Sequence, residues 1–199
     1  MLDPHDAEQI PGDLAPELRD DVARRTAAIM VHHGRASEDA TVVERLVRLV
    51  EEQGLDTVAA LWSQSDAETL PGTLWRLYAI RDWVRRDPEA VAHRYGLAVA
   101  TAPVHEVVAG VAAPAGPAEL VRLLDDVLSG VYTADLAVAL ERAAAFCRIL
   151  AAGGALEADQ RDSVSGTQAS RLTHAASSLL RTAEELETAA RLWRTDRLE

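Results

Sequence analysis

Aromatic and arginine side chains are concentrated in residues 72–96, GTLWRLYAIRDWVRRDPEAVAHRYG. This segment contains four of the eight aromatic residues of the chain and five arginines against three acidic residues, although the formal charge of the whole chain is −12. Indole rings stack on flat ligands, and guanidinium groups pair with phosphates and carboxylates. The candidate ligand-binding residues are therefore Trp75, Arg76, Arg81, Trp83, Arg85, Arg86 and His93.

The same segment also fits a purely structural role. Leu74, Leu77 and Val84 recur at helical spacing and would form a stripe that faces a core. Asp82 and Arg86 stand four residues apart, which is the spacing of a surface ion pair on a helix. We favour this structural role over an anionic ligand, because phosphate binding needs several basic groups that converge on one point.

Catalytic and metal-binding patterns are missing from the sequence. No two of the six histidines lie four residues apart, the spacing that places two imidazoles on one helix face. Cys147 falls on the apolar face of a predicted helix, where a thiol is typically a small buried hydrophobic group. Glycine-rich phosphate loops and the GxSxG motif are absent. We therefore predict no catalytic residue, no metal site and no cofactor, and we favour a protein that is not an enzyme.

The charge of the chain restricts its partners and its location. Its 20 basic residues, all arginines, are outnumbered by 32 acidic residues, and the resulting negative field disfavours nucleic acid and anionic membranes. The longest run without a charged residue, 107–118, contains two prolines, and the N-terminus lacks the regions of a signal peptide. With its single cysteine, the sequence predicts a cytoplasmic protein without a membrane segment.

Apolar residues recur at helical spacing in nearly every segment, and strand patterns are almost missing. We predict an all-α fold, a multi-helix bundle of about seven to nine helices in a single domain over 1–199. Glycine, proline and capping residues place the helices at 16–33, 37–54, 56–62, 73–86, 88–95, 104–111, 117–130, 133–153 and 167–194. Leu18, Val22, Ile29 and Met30 should face inward from the first of them. Residues 153–166, polar and flanked by glycines, are predicted to form a hinge before the C-terminal helix.

The predicted C-terminal helix carries an alanine and leucine heptad seam. Its members alternate steps of three and four residues: Ala169, Leu172, Ala176, Leu179, Ala183, Leu186, Ala190 and Trp193. Such a stripe needs a helical neighbour, and alanines let two backbones come close. That neighbour is either a helix of the same bundle or a second chain, through self-association or a protein partner. The rows beside the seam lack the charges that select coiled-coil partners, which favours the same bundle.

Two stretches resemble known sequences. GTLWRLYAIRDWVRRDP at 72–88 and TADLAVALERAAAFCRILAAG at 133–153 are similar to segments of a family of all-helical proteins, without an assigned activity, from high-GC Gram-positive bacteria. The resemblance covers roughly 70–153. It implies a bacterial cytoplasmic protein with a helical domain, and it implies no site residue.

These observations leave three hypotheses about function. The leading one is a helical protein-interaction or regulatory protein, because the sequence offers packing surfaces but no catalytic set. The second is a binder of a small anionic ligand, or an enzyme, with a pocket between helices near 73–86. The third is a nucleic-acid accessory factor that uses the same arginines against the unfavourable charge of the chain.

Overall fold

The computed structural model describes residues 16–32, 54–101, 115–129, 132, 134–162 and 165–199. Within these residues the backbone forms seven helices and no strand. The helices are α1 (Pro16–His32), α2 (Leu55–Trp62), α3 (Leu70–Arg86), α4 (Pro88–Thr101), α5 (Pro117–Leu128), α6 (Leu136–Asp162) and α7 (Gly166–Arg194). The predicted all-α fold with a long C-terminal helix is confirmed. The helix predicted at 104–111, the helix predicted at 37–54 apart from Gly54, and Thr133 at the start of the helix predicted at 133–153 lie outside the described residues.

The long helices α6 and α7 form the most extensive helix–helix contact of the described chain. The heptad seam of α7 faces inward: Ala183, Leu186 and Ala190 are fully buried, and Leu172, Leu179 and Trp193 are half-buried. The seam therefore packs within its own chain, as its flanking rows indicated. His174 points outward, as its heptad position predicts.

Helix α3 lies at the centre of the fold, in contact with α1, α2, α4, α5 and α7. Its apolar face buries Leu74, Leu77 and Val84, as predicted. Cys147 of α6 is buried in the same core, and burial raises the pKa of its thiol to about 12. The core around this central helix is built mainly from leucine and alanine side chains.

Helix α3 begins at Leu70, three residues before the predicted start at Thr73. The hydroxyl of Thr69 accepts a hydrogen bond from the backbone N–H of Gly72 at 3.3 Å, so Thr69 caps the helix and Pro71 sits in its first turn. A Cβ at Gly72 would lie 1.9 Å from the carbonyl oxygen of Asp66. Pro71 and Gly72 therefore belong to a tightly packed helix start and not to a preceding turn.

Two helices continue past glycines at which the sequence predicted their ends. Helix α4 passes through Gly96 to Thr101, and α6 passes through Gly153 and Gly154 to Asp162. At Gly153 the two helices cross so closely that a Cβ would lie 1.9 Å from the carbonyl oxygen of Arg94. Gly153 is thus a crossing residue and not a helix stop. The hinge predicted over 153–166 is helical up to Asp162, and only 163–165 separate α6 from α7.

Two smaller predictions near the N-terminal end of the described chain were wrong. Leu18, predicted to face inward, is 50% exposed, whereas Met30 is buried as predicted and Val22 and Ile29 are partly buried. Helix α1 also buries Ala23 and Ala27. The alanines let α1 approach its neighbours more closely than a leucine stripe would allow. Helix α2 begins at Leu55, one residue before the start predicted at Asp56, so Asp56 lies inside the helix and does not cap it. Its carboxylate accepts a hydrogen bond from the hydroxyl of Tyr78 at 2.9 Å.

Candidate functional site

An open groove of about 460 Å³ lies between α3, α7 and the loop that follows α2. Helix α3 contributes Trp75, Arg76 and Trp83, and α7 contributes Leu179, Arg181 and Glu185. Three serines and one threonine also line the groove: Ser63, Ser65, Ser178 and Thr182. The groove thus combines aromatic surface with a few polar groups, which is the usual composition of a binding site.

The two tryptophans supply the apolar surface of the groove. Both rings are half-buried and pack against the core, and Trp75 stacks on Tyr78 with ring centroids 5.5 Å apart and planes at 25°. Within the described residues neither indole N–H donates a hydrogen bond, and no polar side-chain atom is buried without a partner. The two N–H groups are therefore accessible, and the rings pack against the core on their other side.

Arg76 bridges the two walls of the groove. Its Nε donates to the carboxylate of Glu185 at 2.6 Å, and its guanidinium also donates to the carbonyl of Gly72 at 2.8 Å. Both Arg76 and Glu185 are largely shielded from solvent. The pair ties α3 to α7, and two of the five N–H donors of Arg76 are used inside the protein.

The other predicted arginines of α3 are also paired within the chain. Arg81 and Arg85 donate to the two carboxylate oxygens of Asp125 on α5, at 2.5 and 2.7 Å. Arg86 pairs with Asp82 at 2.9 Å, which is the four-residue surface pair indicated by the sequence. These three guanidinium groups hold helices together or stabilise one helix. They do not converge on an anion site.

Three of the seven candidate ligand residues, Trp75, Arg76 and Trp83, line the groove. The remaining four lie elsewhere on α3 and α4: Arg81, Arg85, Arg86 and His93. Among the heptad seam residues, Leu179 also reaches the groove. The structure thus brings the two predicted tryptophans and Arg76 together in one groove, and it places the other four predicted residues outside that groove.

Arg181 of α7 is a groove residue that the sequence did not single out. It is exposed, and across the described chain its guanidinium makes no hydrogen bond or ion pair. One signal was present: residues 163–183 contain no acidic residue, the longest such stretch in this acidic chain. Nothing in the spacing of Arg181 linked it to Trp75 and Trp83, which lie about 100 residues earlier.

A second ionic cluster ties α4 to the distal end of α6. Glu157 is 7% exposed and accepts a hydrogen bond from Arg94 at 2.9 Å, and Arg161 pairs with the other oxygen at 2.9 Å. Burial acts to raise the pKa of Glu157, but the hydrogen bond and positive charge of Arg94 outweigh burial and hold that pKa below its ordinary value. Because every charge here has a partner, the cluster is a structural clamp.

Metal and membrane chemistry find no support in the part of the chain that the structure describes. No group of three or more histidine, cysteine, aspartate or glutamate side chains is arranged there to hold a metal ion. None of the described helices combines the length and the apolar character required to cross a lipid bilayer.

Comparison with known proteins adds nothing to these observations. No family model, no curated protein and no solved structure matches the chain. The resemblance of residues 70–153 to helical proteins of high-GC Gram-positive bacteria stays a prediction.

Proposed function

We propose that this protein is a non-enzymatic interaction protein, with a regulatory role, that binds a protein partner through the groove between α3 and α7. The observation that carries the proposal is the pair of half-buried tryptophan rings beside the unpaired guanidinium of Arg181. Tryptophan and arginine are the side chains most enriched at the energetic centres of protein interfaces. The composition of the groove therefore favours a protein partner.

The bonding of the arginines supports an interface more than a ligand pocket. Arg76 donates hydrogen bonds to Glu185 and Gly72. Arg81 and Arg85 both donate to the carboxylate of Asp125. A small anion that used these three guanidinium groups would have to displace carboxylates that already tie helices together. A partner protein can instead contact the tryptophan rings and Arg181 without disturbing the internal pairs.

Capture of binding partners from the cells that make the protein tests this proposal. Trp83→Leu and Arg181→Glu alter the groove, whereas Leu18→Ala and Arg122→Glu make matched changes at exposed sites elsewhere. We expect a bound protein that is lost with both groove variants and retained with both controls. A partner set that is the same for all four variants would contradict the proposal.

A small anionic ligand is the second candidate function. The groove volume, about 460 Å³, lies within the range of small-molecule sites. Such a ligand would stack on Trp83 and pair with Arg181. Thermal unfolding with phosphorylated and carboxylated aromatic compounds tests it, because a ligand at 100 times its Kd stabilises the folded state by about 2.7 kcal/mol. A stabilisation that disappears in Arg181→Glu would favour this candidate.

The setting of the protein is proposed from the sequence. The single cysteine and the resemblance of residues 70–153 support a cytoplasmic bacterial protein. The negative charge of the chain and the internal pairing of its α3 arginines argue against a nucleic-acid accessory factor.

A further inference from the structure

The exposed face of α7 differs in charge from the rest of the chain. Residues 163–183 contain no acidic residue in a protein with 32 of them. Arg171, Ser178 and Arg181 follow one another at steps of seven and three residues, which places them on one face of the helix. All three are exposed. The face therefore presents two positive charges about 15 Å apart along the helix, at 1.5 Å per residue.

The two arginines of this face have no bonding partner among the described residues. In the described residues, neither Arg171 nor Arg181 forms a hydrogen bond or an ion pair. The nearby carboxylates on the same helix do not engage Arg181: Glu185 is bonded to Arg76, and Glu184, one turn away, forms no ion pair with it. By contrast, Arg76, Arg81, Arg94 and Arg148 are each bonded to a carboxylate of another helix.

Apolar surface adjoins this positive face directly. Ser178 and Arg181 line the groove together with Trp75 and Trp83, so the groove continues the face at the end nearest Arg181. The accessible polar groups of the two tryptophans are donors, as is the guanidinium of Arg181. A complementary surface must therefore offer acceptors next to an apolar anchor.

We propose that this surface binds an acidic segment of a partner protein, an inference that rests on the proposed function and names the chemistry of its partner. An apolar side chain of the segment lies on the rings of Trp75 and Trp83, and a carboxylate beside it pairs with Arg181. A second carboxylate, about 15 Å away, pairs with Arg171. This distance corresponds to about three turns of a bound helix, which would present its anchors and its acids on one face.

The observations favour a protein segment over the other classes of partner. Two cations about 15 Å apart are too widely spaced for one small anion to contact both. Nucleic acid binds through many phosphate contacts, and two cations in a strongly acidic protein release few counterions. A short acidic segment needs only local complementarity, because charges farther away than about 8 Å are screened at physiological salt.

Selection from a displayed library of random 16-residue peptides on the full chain tests the proposal. The selected peptides are then measured by fluorescence anisotropy against the wild type, Arg171→Glu, Arg181→Glu and Trp83→Leu, with Arg122→Glu as a charge-matched control. We expect the selected peptides to combine acidic residues with leucine or aromatic residues. Their affinity should fall about tenfold or more with Arg171→Glu and with Arg181→Glu, and stay unchanged with the control.

The outcomes separate this inference from the proposed function. Peptides whose affinity falls with Trp83→Leu but not with either Arg→Glu change would overturn the acidic partner and leave the groove a protein interface. Selected peptides that are neutral or basic would have the same consequence. Peptides that ignore Trp83 as well would contradict both proposals. A dimer in sedimentation that Arg181→Glu abolishes would replace the acidic partner with a second copy. Oligonucleotide binding lost in Arg181→Glu would replace it with nucleic acid.

Discussion

Replacing Gly153 or its neighbour Gly154 with alanine gives opposite predictions from adjacent positions of one helix. A Cβ at Gly153 would lie 1.9 Å from the carbonyl oxygen of Arg94, whereas ordinary carbon–oxygen contacts are at about 3.3 Å or more. A Cβ at Gly154 would meet only the Cβ of Ala176, at 3.8 Å, an ordinary contact. Gly153→Ala must therefore force α4 and α6 apart, and Gly154→Ala need move nothing.

The magnitudes follow from two opposing effects. Alanine is favoured over glycine inside a helix by about 1 kcal/mol, and both variants gain this. Overpacking costs about 1–3 kcal/mol, and a clash with backbone belongs at the upper end of that range. Gly153→Ala should thus lose about 2 kcal/mol of unfolding free energy, while Gly154→Ala gains up to about 1 kcal/mol.

Urea denaturation of the two variants and the wild type measures this difference. With an unchanged slope, the transition midpoint should fall for Gly153→Ala and stay equal or rise for Gly154→Ala. The reasoning would be refuted if Gly153→Ala were as stable as Gly154→Ala, since α4 and α6 would then not cross at Gly153.

Three further predictions concern ionisable groups. The pKa of Glu157 is held below its ordinary value of 4.5, so its ion pairs stabilise the fold above about that pH. This stabilisation is lost as the pH falls through the folded-state pKa of Glu157. The unfolding free energy of Glu157→Gln should therefore be lower than that of the wild type at pH 7 and should converge with it in acid. Asp125→Asn weakens the bonds to Arg81 and Arg85 and should lower the unfolding free energy by about 1–2 kcal/mol. Asp126→Asn, at an exposed position, should change it by no more than about 0.5 kcal/mol. Equal stabilities of the two variants in chemical denaturation would contradict a stabilising role for the Asp125 ion pairs. Cys147, with a buried thiol whose pKa is about 12, should not react with a disulfide reagent at pH 8 until the protein is unfolded; rapid labelling of the native protein would disprove its burial.

The fold was largely predictable because helical periodicity is a local property. The helix starts predicted at Pro88 and Pro117 are correct, and the α7 seam identified its buried face correctly. Glycines misled the prediction at Gly96 and Gly153. A glycine that ends a helix and a glycine that permits a close crossing look identical in sequence, and only the position of Arg94 distinguishes them at Gly153.

The sequence predicted the tryptophans of the candidate site but not the pairing of its arginines. Trp75 and Trp83 stood out by composition and do line one groove. Arg81 and Arg85 stood out equally, but their partner Asp125 lies about 40 residues away on α5, and sequence spacing says nothing about such a pair. Arg181 was missed for the same reason, because its significance depends on which arginines remain unpaired after folding.

Site-specific photocrosslinking tests most directly whether the groove is a protein interface. Ala79 is exposed and lines the groove, and Ala92 is exposed on α4 outside it. With p-benzoylphenylalanine at position 79, irradiation of the cells should give a covalent adduct with another protein, and Arg181→Glu in the same chain should abolish it. The probe at position 92 should give no such adduct. Adducts that are equal from both positions, or that persist with Arg181→Glu, would contradict a partner bound in the groove.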